Sequence, residues 1–427
     1  MLPRHLVLAA LALGACRAPI ADPALLSDAP GTAAALRADI AWLADDAREG
    51  RGTGTAGHDS AAAFVARRHA ALGIAAAPGL GGYLQPFVAR TVPTRGAAPI
   101  ALATQNVVAL IPGRDPALAG EYVVLGAHLD HLGRGTVGAL DPEAGAAIRN
   151  GADDNASGSV AILELARRFR LAPGRRSILI VHFSGEELGL LGSQYFVDNS
   201  PVPLASIQAM LNFDMVGRLK NDRLIVYGVG TAAELPALVD SVSAGSGLVV
   251  NKVPDGIGPS DHASFHTKDV PVLHFFTDIH EDYHRATDDV GRINADGLWR
   301  VVNVAEQAAR ALADRPGKLQ VQRTVASVGA PAASRQSSGV YLGSIPDMGA
   351  ADVVGMRLTG VRADSPADKA GLRAGDIVIE FGGKPVRDIY EYTDALNSFK
   401  PDDVVTVVVL RDGQRVTLQV TLGRRGN

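Results

Sequence analysis

Tyr122-Val123-Val124-Leu125-Gly126-Ala127-His128-Leu129-Asp130 is an apolar run that ends on an imidazole and a carboxylate. A short apolar run bounded by polar and turn residues reads as a buried strand. Four more runs of this kind follow: Ser177 to Phe183, Gln208 to Phe213, Leu224 to Gly228 and Val270 to Phe276. Between the first two, Ser159 to Leu171 places Ile162, Leu165, Ala166 and Phe169 on one face at helical spacing, as a helix packed on a sheet does. Helices are also expected over Thr32 to Ala44 and Ala295 to Ala313, the latter closing the domain. The alternation implies an α/β domain over residues 30–315, with a mixed, mostly parallel sheet flanked by helices.

Composition narrows the function classes. The chain has 427 residues, with 41 Lys and Arg against 45 Asp and Glu, a formal charge of −4. So weak a charge gives no electrostatic reason to expect nucleic acid as a partner. A hydrophobic fraction of 47% with 20% charged residues fits a globular protein rather than a disordered one. A single cysteine excludes an internal disulfide framework and an all-cysteine metal site.

Five segments put a metal-capable side chain at a predicted strand end or helix start, where open α/β sheets bind ligands. They are Gly126 to His131, Gly151-Ala152-Asp153-Asp154-Asn155-Ala156-Ser157-Gly158, Gly185-Glu186-Glu187-Leu188-Gly189, Asn212-Phe213-Asp214-Met215 and Tyr283 to Asp288. Each alone has an ordinary structural reading, such as helix capping by Asp153 to Asn155. Gathered along one sheet edge, their carboxylates repel unless some protonate or a cation neutralises them. Two zinc ions fit a set of two imidazoles and three acids, one carboxylate bridging the pair.

In this order the motifs resemble the co-catalytic di-zinc exopeptidases typified by bacterial leucyl aminopeptidases, over about Ala38 to Ala313. The resemblance implies that His128 and Asp214 bind one zinc, Glu187 and His284 the other, and that Asp154 rather than Asp153 bridges them. It implies hydrolysis of the first peptide bond, with Glu186 as the general base acting on a metal-activated water. Tyr283 is similar to the family tyrosine that donates to the tetrahedral oxyanion. Asp130 is placed to accept the other N–H of the His128 imidazole and fix its tautomer. The segment Ser260 to Phe265 also matches a family stretch near the active site. Carboxypeptidase action, a glutaminyl-cyclase-like acyltransferase and an inactive receptor-like binding scaffold remain alternatives.

Gly52-Thr53-Gly54-Thr55-Ala56-Gly57 satisfies the dinucleotide-binding spacing but follows a predicted helix, whereas that fingerprint follows a strand. It is expected to be a turn before a helix carrying Phe64 and Val65. His58, His69, His262, His266, His274 and His280 are expected to be structural or surface residues, and His182 a core residue with a hydrogen bond.

Two further regions flank the domain. Arg4 and His5 precede an apolar run from Leu6 to Ala15, shorter than the about 20 residues that span a membrane and typical of an export signal. Leu13-Gly14-Ala15-Cys16 resembles a bacterial lipobox, so residues 1–16 are expected to be a lipoprotein-type signal. Lipidation of Cys16 then implies export to the cell envelope, with a lipid anchor in the membrane and the protein facing the periplasm.

Residues 316–338, rich in Ala, Ser, Gly and Pro, are expected to be a linker. Beyond it, Asp412-Gly413 between Val404 to Leu410 and Arg415 to Leu422 signals a hairpin. Ser365 to Asp376, followed by Ile377-Val378-Ile379, resembles the helix and strand of a bacterial PDZ domain, here residues 339–427, a small β-rich unit. The resemblance implies binding of a peptide or protein C-terminus along a sheet edge. Tyr341-Leu342-Gly343 stands where the carboxylate-binding loop belongs, with Tyr341 in place of the usual first glycine.

Overall fold

The computed structural model describes residues 31–91, 99–135, 138–139, 141, 144–278, 280, 282–322, 340–346, 353–361, 365–387, 391–392, 395–396 and 398–424. The expected leader and Cys16 lie outside them.

The first domain is built on a mixed sheet of β1 (Ala75–Ala76), β2 (Leu84–Thr91), β3 (Ile100–Ile111), β4 (Tyr122–His128), β5 (Ser177–Phe183), β6 (Ile207–Phe213), β7 (Arg223–Tyr227), β8 (Val249–Val253) and β9 (Val272–Phe276). Their order is β1-β3-β5-β4-β6-β9-β7-β8, with β2 also paired to β3. The central β5-β4-β6-β9 strands run parallel. The β3 and β7 pairings with that core are antiparallel. All residues of β5 and β6 are buried, the signature of strands covered on both faces.

Helices supply the cover. On one face lie α1 (Ala33–Leu43), α2 (Ala56–Ala71), α3 (Gly158–Leu171), α5 (Leu235–Ser243) and α7 (Ala295–Asp314), which share one apolar core with the strands. On the other lie α4 (Leu191–Asp198) and α6 (His262–His266), where Phe196 and Phe265 pack against Phe183. Thr32 caps α1 by accepting the Ala35 N–H at 3.1 Å, and Asn294 caps α7 by accepting that of Gly297 at 2.8 Å.

The expected strands and helices are present with ends shifted by a residue or two, as element ends usually are. The sequence reading omitted the β2–β3 pair. Of the expected linker, residues 316–322 are described, and they pack on the first domain: Leu319 is buried in the core, and Gln322 donates its N–H to Thr231 O at 2.9 Å. The start of that segment belongs to the first domain because its backbone pairs with it.

The second domain has its own core, including Leu342, Leu358, Leu372, Val378, Phe381, Val407 and Val420. It comprises β10 (Val340–Tyr341), β11 (Ser344–Pro346), β12 (Met356–Val361), α8 (Pro366–Lys369), β13 (Ile377–Phe381), β14 (Lys384–Pro385), β15 (Val404–Arg411), β16 (Gln414–Thr421) and β17 (Gly423–Arg424). The hairpin expected at Asp412-Gly413 joins β15 to β16, with Arg411 opposite Gln414.

Candidate metal centre

Parallel neighbours bring their carboxyl ends together. In the β5-β4-β6 register His128 stands beside Phe183, and Gly126 beside Asn212. His128, the Glu186-Glu187 turn after β5 and Asp214 after β6 therefore meet at one edge of the sheet, where strand order reverses about β4. Asp154 comes from the irregular turn Ala152–Ser157 that leads into α3. That turn requires Gly151: its φ is +56°, and a Cβ there would lie 2.1 Å from Asp154 O. His284 follows β9 on a loop and joins the same edge.

Asp154 stands between the two imidazoles. Its Oδ1 is 3.4 Å from His128 Nε2, and its Oδ2 is 3.2 Å from His284 Nε2. Asp214 Oδ1 lies 3.3 Å from His128 Nε2, and Glu187 Oε2 lies 3.2 Å from His284 Nε2. Glu186 Oε2 is farther, 4.0 Å from His128 Nε2. The other ring nitrogens fix the tautomers. His128 Nδ1 faces the main-chain O of Asp130 at 3.1 Å, and His284 Nδ1 faces that of Gly138 at 2.8 Å. A carbonyl only accepts, so each Nδ1 carries a proton and each Nε2 turns toward carboxylates.

Two lone pairs aimed at anionic oxygens repel unless a cation stands between them, either a proton on each ring or a metal. Without metal, burial pulls the His128 pKa down, but Glu186 and Asp214 carry it well above the usual histidine range. Burial likewise opposes, and Glu187 and Asp154 outweigh it at, His284. Burial, together with Glu187, Asp214 and Asp261, pushes Glu186 well above the carboxylate range, although His128 opposes this. Burial alone would raise Glu187, yet His284 and His131 bring it down to about 2. Asp154 Oδ2 is buried without a well-directed hydrogen bond despite its imidazole neighbours. Such an oxygen suits a shared ion better than a proton. His, Asp and Glu donors converging to within 4.8 Å, as in His128, Asp154 and Glu187 or His128, Glu186 and Asp214, make a hard, nitrogen-containing set fit for a divalent transition metal.

The neighbours divide into expected and unexpected. The acceptor for His128 Nδ1 is the carbonyl of Asp130 and not its carboxylate, which is 3.9 Å away. That carboxylate is already engaged: Thr53 Oγ1 donates to Oδ2 at 2.7 Å, and the Glu186 N–H to Oδ1 at 3.2 Å. Tyr283 is half-buried with its ring stacked on that of His284 at 3.9 Å. His182, as expected, lies in a strand and bonds, Nε2 to Nε2 of His69 at 3.2 Å.

Sequence reasoning missed His131, whose Nδ1 lies 2.7 Å from Glu187 Oε1 and 3.7 Å from Asp154 Oδ2. Its place three residues after His128 on a strand-end loop was the available signal. It also left Asp288 without a role, although that carboxylate accepts the N–H groups of Asp153 and Asp154, each at 3.0 Å. Asp153 itself turns away, accepting from Gly217 N at 2.6 Å, and lies 3.2 Å from His280 Nε2.

Comparison with known proteins follows the division of the chain. Residues 106–309 match peptidase family M28, and residues 334–422 match the PDZ domain. The larger domain is a peptidase family M28 domain. A PDZ domain follows it. The chain is 34% identical over 176 residues to leupeptin-inactivating enzyme 1 of Streptomyces exfoliatus, covering 40% of this chain and 35% of that protein. It is 34% identical over 187 residues to leucine aminopeptidase 1 of Trichophyton rubrum, covering 40% of this chain and 46% of that protein. The chain thus spans less than half the length of these relatives. The M28 fold is also that of a zinc aminopeptidase from Bacillus subtilis, with a TM-score of 0.53 at 17% identity over 68% of this chain and 97% of that one.

In the PDZ domain, Tyr341 pairs with Gly423, the Leu342 side chain is buried in the core, and Gly343 holds φ +85°. A Cβ on Gly343 would lie 2.3 Å from Ser365 Cβ, so the loop is packed against the start of α8.

Proposed function

We propose that this chain is a zinc-dependent exopeptidase that removes the N-terminal residue of peptides. One observation carries the reading: the Asp154 carboxylate lies between two imidazoles of fixed tautomer, 3.4 Å from His128 Nε2 and 3.2 Å from His284 Nε2. Two zinc ions would be held there, one by His128 and Asp214, the other by Glu187 and His284, with Asp154 shared. When bound, the pair supplies Lewis acidity to the scissile carbonyl and to the attacking water.

The chain's own groups do the rest. Burial and the repulsion of Glu187, Asp214 and Asp261 raise the Glu186 pKa well above the carboxylate range, against the pull of His128. With that repulsion compensated, Glu186 ionises, takes the proton of the attacking water and returns one to the departing amine. Asp130 fixes the main chain of this base through the Glu186 N–H. Tyr283, stacked on His284, is assigned as a donor to the oxyanion. The relatives' names, leucine aminopeptidase among them, support action at the amino end.

The chain is further proposed to be exported and held at the cell envelope by a lipid on Cys16. Its PDZ domain is proposed to take the C-terminal strand of a peptide or protein.

The activity is tested on zinc-loaded full-length protein with peptides of free, acetylated or glutaminyl N-terminus. Release of the first residue from free peptides alone is expected. Release from the C-terminus, or cyclisation of the N-terminal glutamine, contradicts the assignment.

A further inference from the structure

The glycine-rich stretch that resembles a dinucleotide loop has a different task. Arg51 is fully buried behind the metal centre, with an exposure of 0%. Its Nε donates to Leu129 O at 2.8 Å, directly after His128. Its Nη1 donates to Leu43 O at 2.8 Å and Asn150 O at 2.7 Å, and its Nη2 to Gly151 O at 2.9 Å. One guanidinium thus joins the end of α1, the loop leaving β4 and the turn that delivers Asp154.

The adjoining backbone extends this brace. Gly52 pairs with His131, and the Gly133 N–H donates to Gly50 O at 3.1 Å. Thr53 Oγ1 completes it by donating to Asp130 Oδ2 at 2.7 Å. The local conformation is a costly one: Glu49 and Arg51 both hold φ near +49°, which side chains other than glycine rarely adopt. Gly50, at φ +68°, cannot be replaced, because a Cβ there would lie 2.2 Å from Arg149 O.

Charge points the same way. Burial lowers the Arg51 pKa to about 10, while Asp288, Asp154, Asp130 and Glu187 act against that fall. The side chain stays cationic at neutral pH. It places a permanent positive charge beneath an acid cluster and offsets part of the cluster's repulsion with no metal bound.

We infer that Arg51 and Thr53 are positioning residues for the metal centre, pre-setting the His128-to-His131 loop and the Asp154 turn in the geometry that binds zinc. This rests on the zinc reading of the site. Neither residue touches a reacting atom; they act through the carbonyls and the carboxylate they hold. Outer partners of metal ligands contribute about 10- to 100-fold in metal affinity, and that is the range expected here.

The test uses full-length protein in four forms: wild type, Arg51→Lys, Thr53→Val and Arg176→Lys. Arg176 is another fully buried arginine of the same domain, bound to Glu121 at 2.7 Å and lying outside the metal centre. Zinc affinity is measured by chelator competition. Ligand geometry is followed through the visible absorption of the cobalt(II) form, with folding checked by circular dichroism. Arg51→Lys and Thr53→Val are expected to bind zinc about tenfold or more weakly, with altered cobalt spectra, and Arg176→Lys to match wild type.

Folded Arg51→Lys with wild-type affinity and spectrum overturns the inference, as does an equal loss in Arg176→Lys. Should Arg51→Lys not fold, Thr53→Val decides: weakened binding supports the brace, and unchanged binding overturns it. Wild type that binds no zinc removes the metal reading itself, an outcome distinct from wild-type-like variants.

Discussion

The main-chain N–H of Glu186 donates to the Asp130 carboxylate over 3.2 Å, so the loop that follows His128 also holds the residue assigned as base. Asp130→Ala removes this acceptor and that of Thr53 Oγ1 while leaving the carbonyl that fixes His128. Peptidase activity is expected to fall about 10- to 100-fold, the range for outer partners of a metal site. Asp130→Asn, which keeps one acceptor oxygen, is expected to lose less. Steady-state kinetics on the two variants checks this, and equal rates in wild type and Asp130→Ala speak against it.

Glu186→Gln separates base from ligand. Glu186 lies 4.0 Å from His128 Nε2, farther than Asp154 at 3.4 Å and Asp214 at 3.3 Å. The variant is expected to lose about 10²- to 10⁴-fold in kcat with zinc content unchanged. A loss of zinc equal to the loss of rate makes Glu186 a ligand instead.

Much of this site was legible in the sequence because parallel strands align their carboxyl ends. A ligand that directly follows an apolar run must therefore fall on the same sheet edge as its counterparts. His128, Asp214 and the Glu186-Glu187 turn are of that kind. The remainder depends on contacts between residues distant in the chain. Nothing local to Arg51 announces that it will reach Asn150 and Gly151. Likewise, Asp130 has the right spacing to meet the His128 ring, yet Thr53, from a segment 77 residues away, competes for its carboxylate. The β2–β3 pair was missed because β3, with Thr104, Gln105 and Asn106 in its midst, departs from a plain apolar run.

The buried histidines predict the response to acid. Burial lowers the pKa of His58 to about 4 and of His69 to about 3, against a free value near 6.5. The unfolded chain therefore takes up these protons first. Stability from the neutral rings is complete above about pH 6.5 and lost as pH falls toward the folded values. Each ring contributes up to about 1.4 kcal/mol per pH unit inside that window. Denaturant titrations between about pH 7 and about pH 5 are expected to show a shallower loss for His69→Gln than for wild type. An identical slope contradicts the assignment of that ring as neutral.

Cys16→Ser tests the anchor. Fractionation of cells expressing the full chain is expected to move the protein from membrane pellet to soluble fraction. An unchanged distribution removes the lipid from the account.

The central claim is that Asp154 joins two metal ions, and anomalous scattering at the zinc edge from crystals of zinc-loaded protein tests it most directly. Two peaks are expected, one beside His128 and Asp214 and one beside Glu187 and His284, with Asp154 between them. A single peak, or peaks that leave Asp154 without a metal neighbour, contradicts the account.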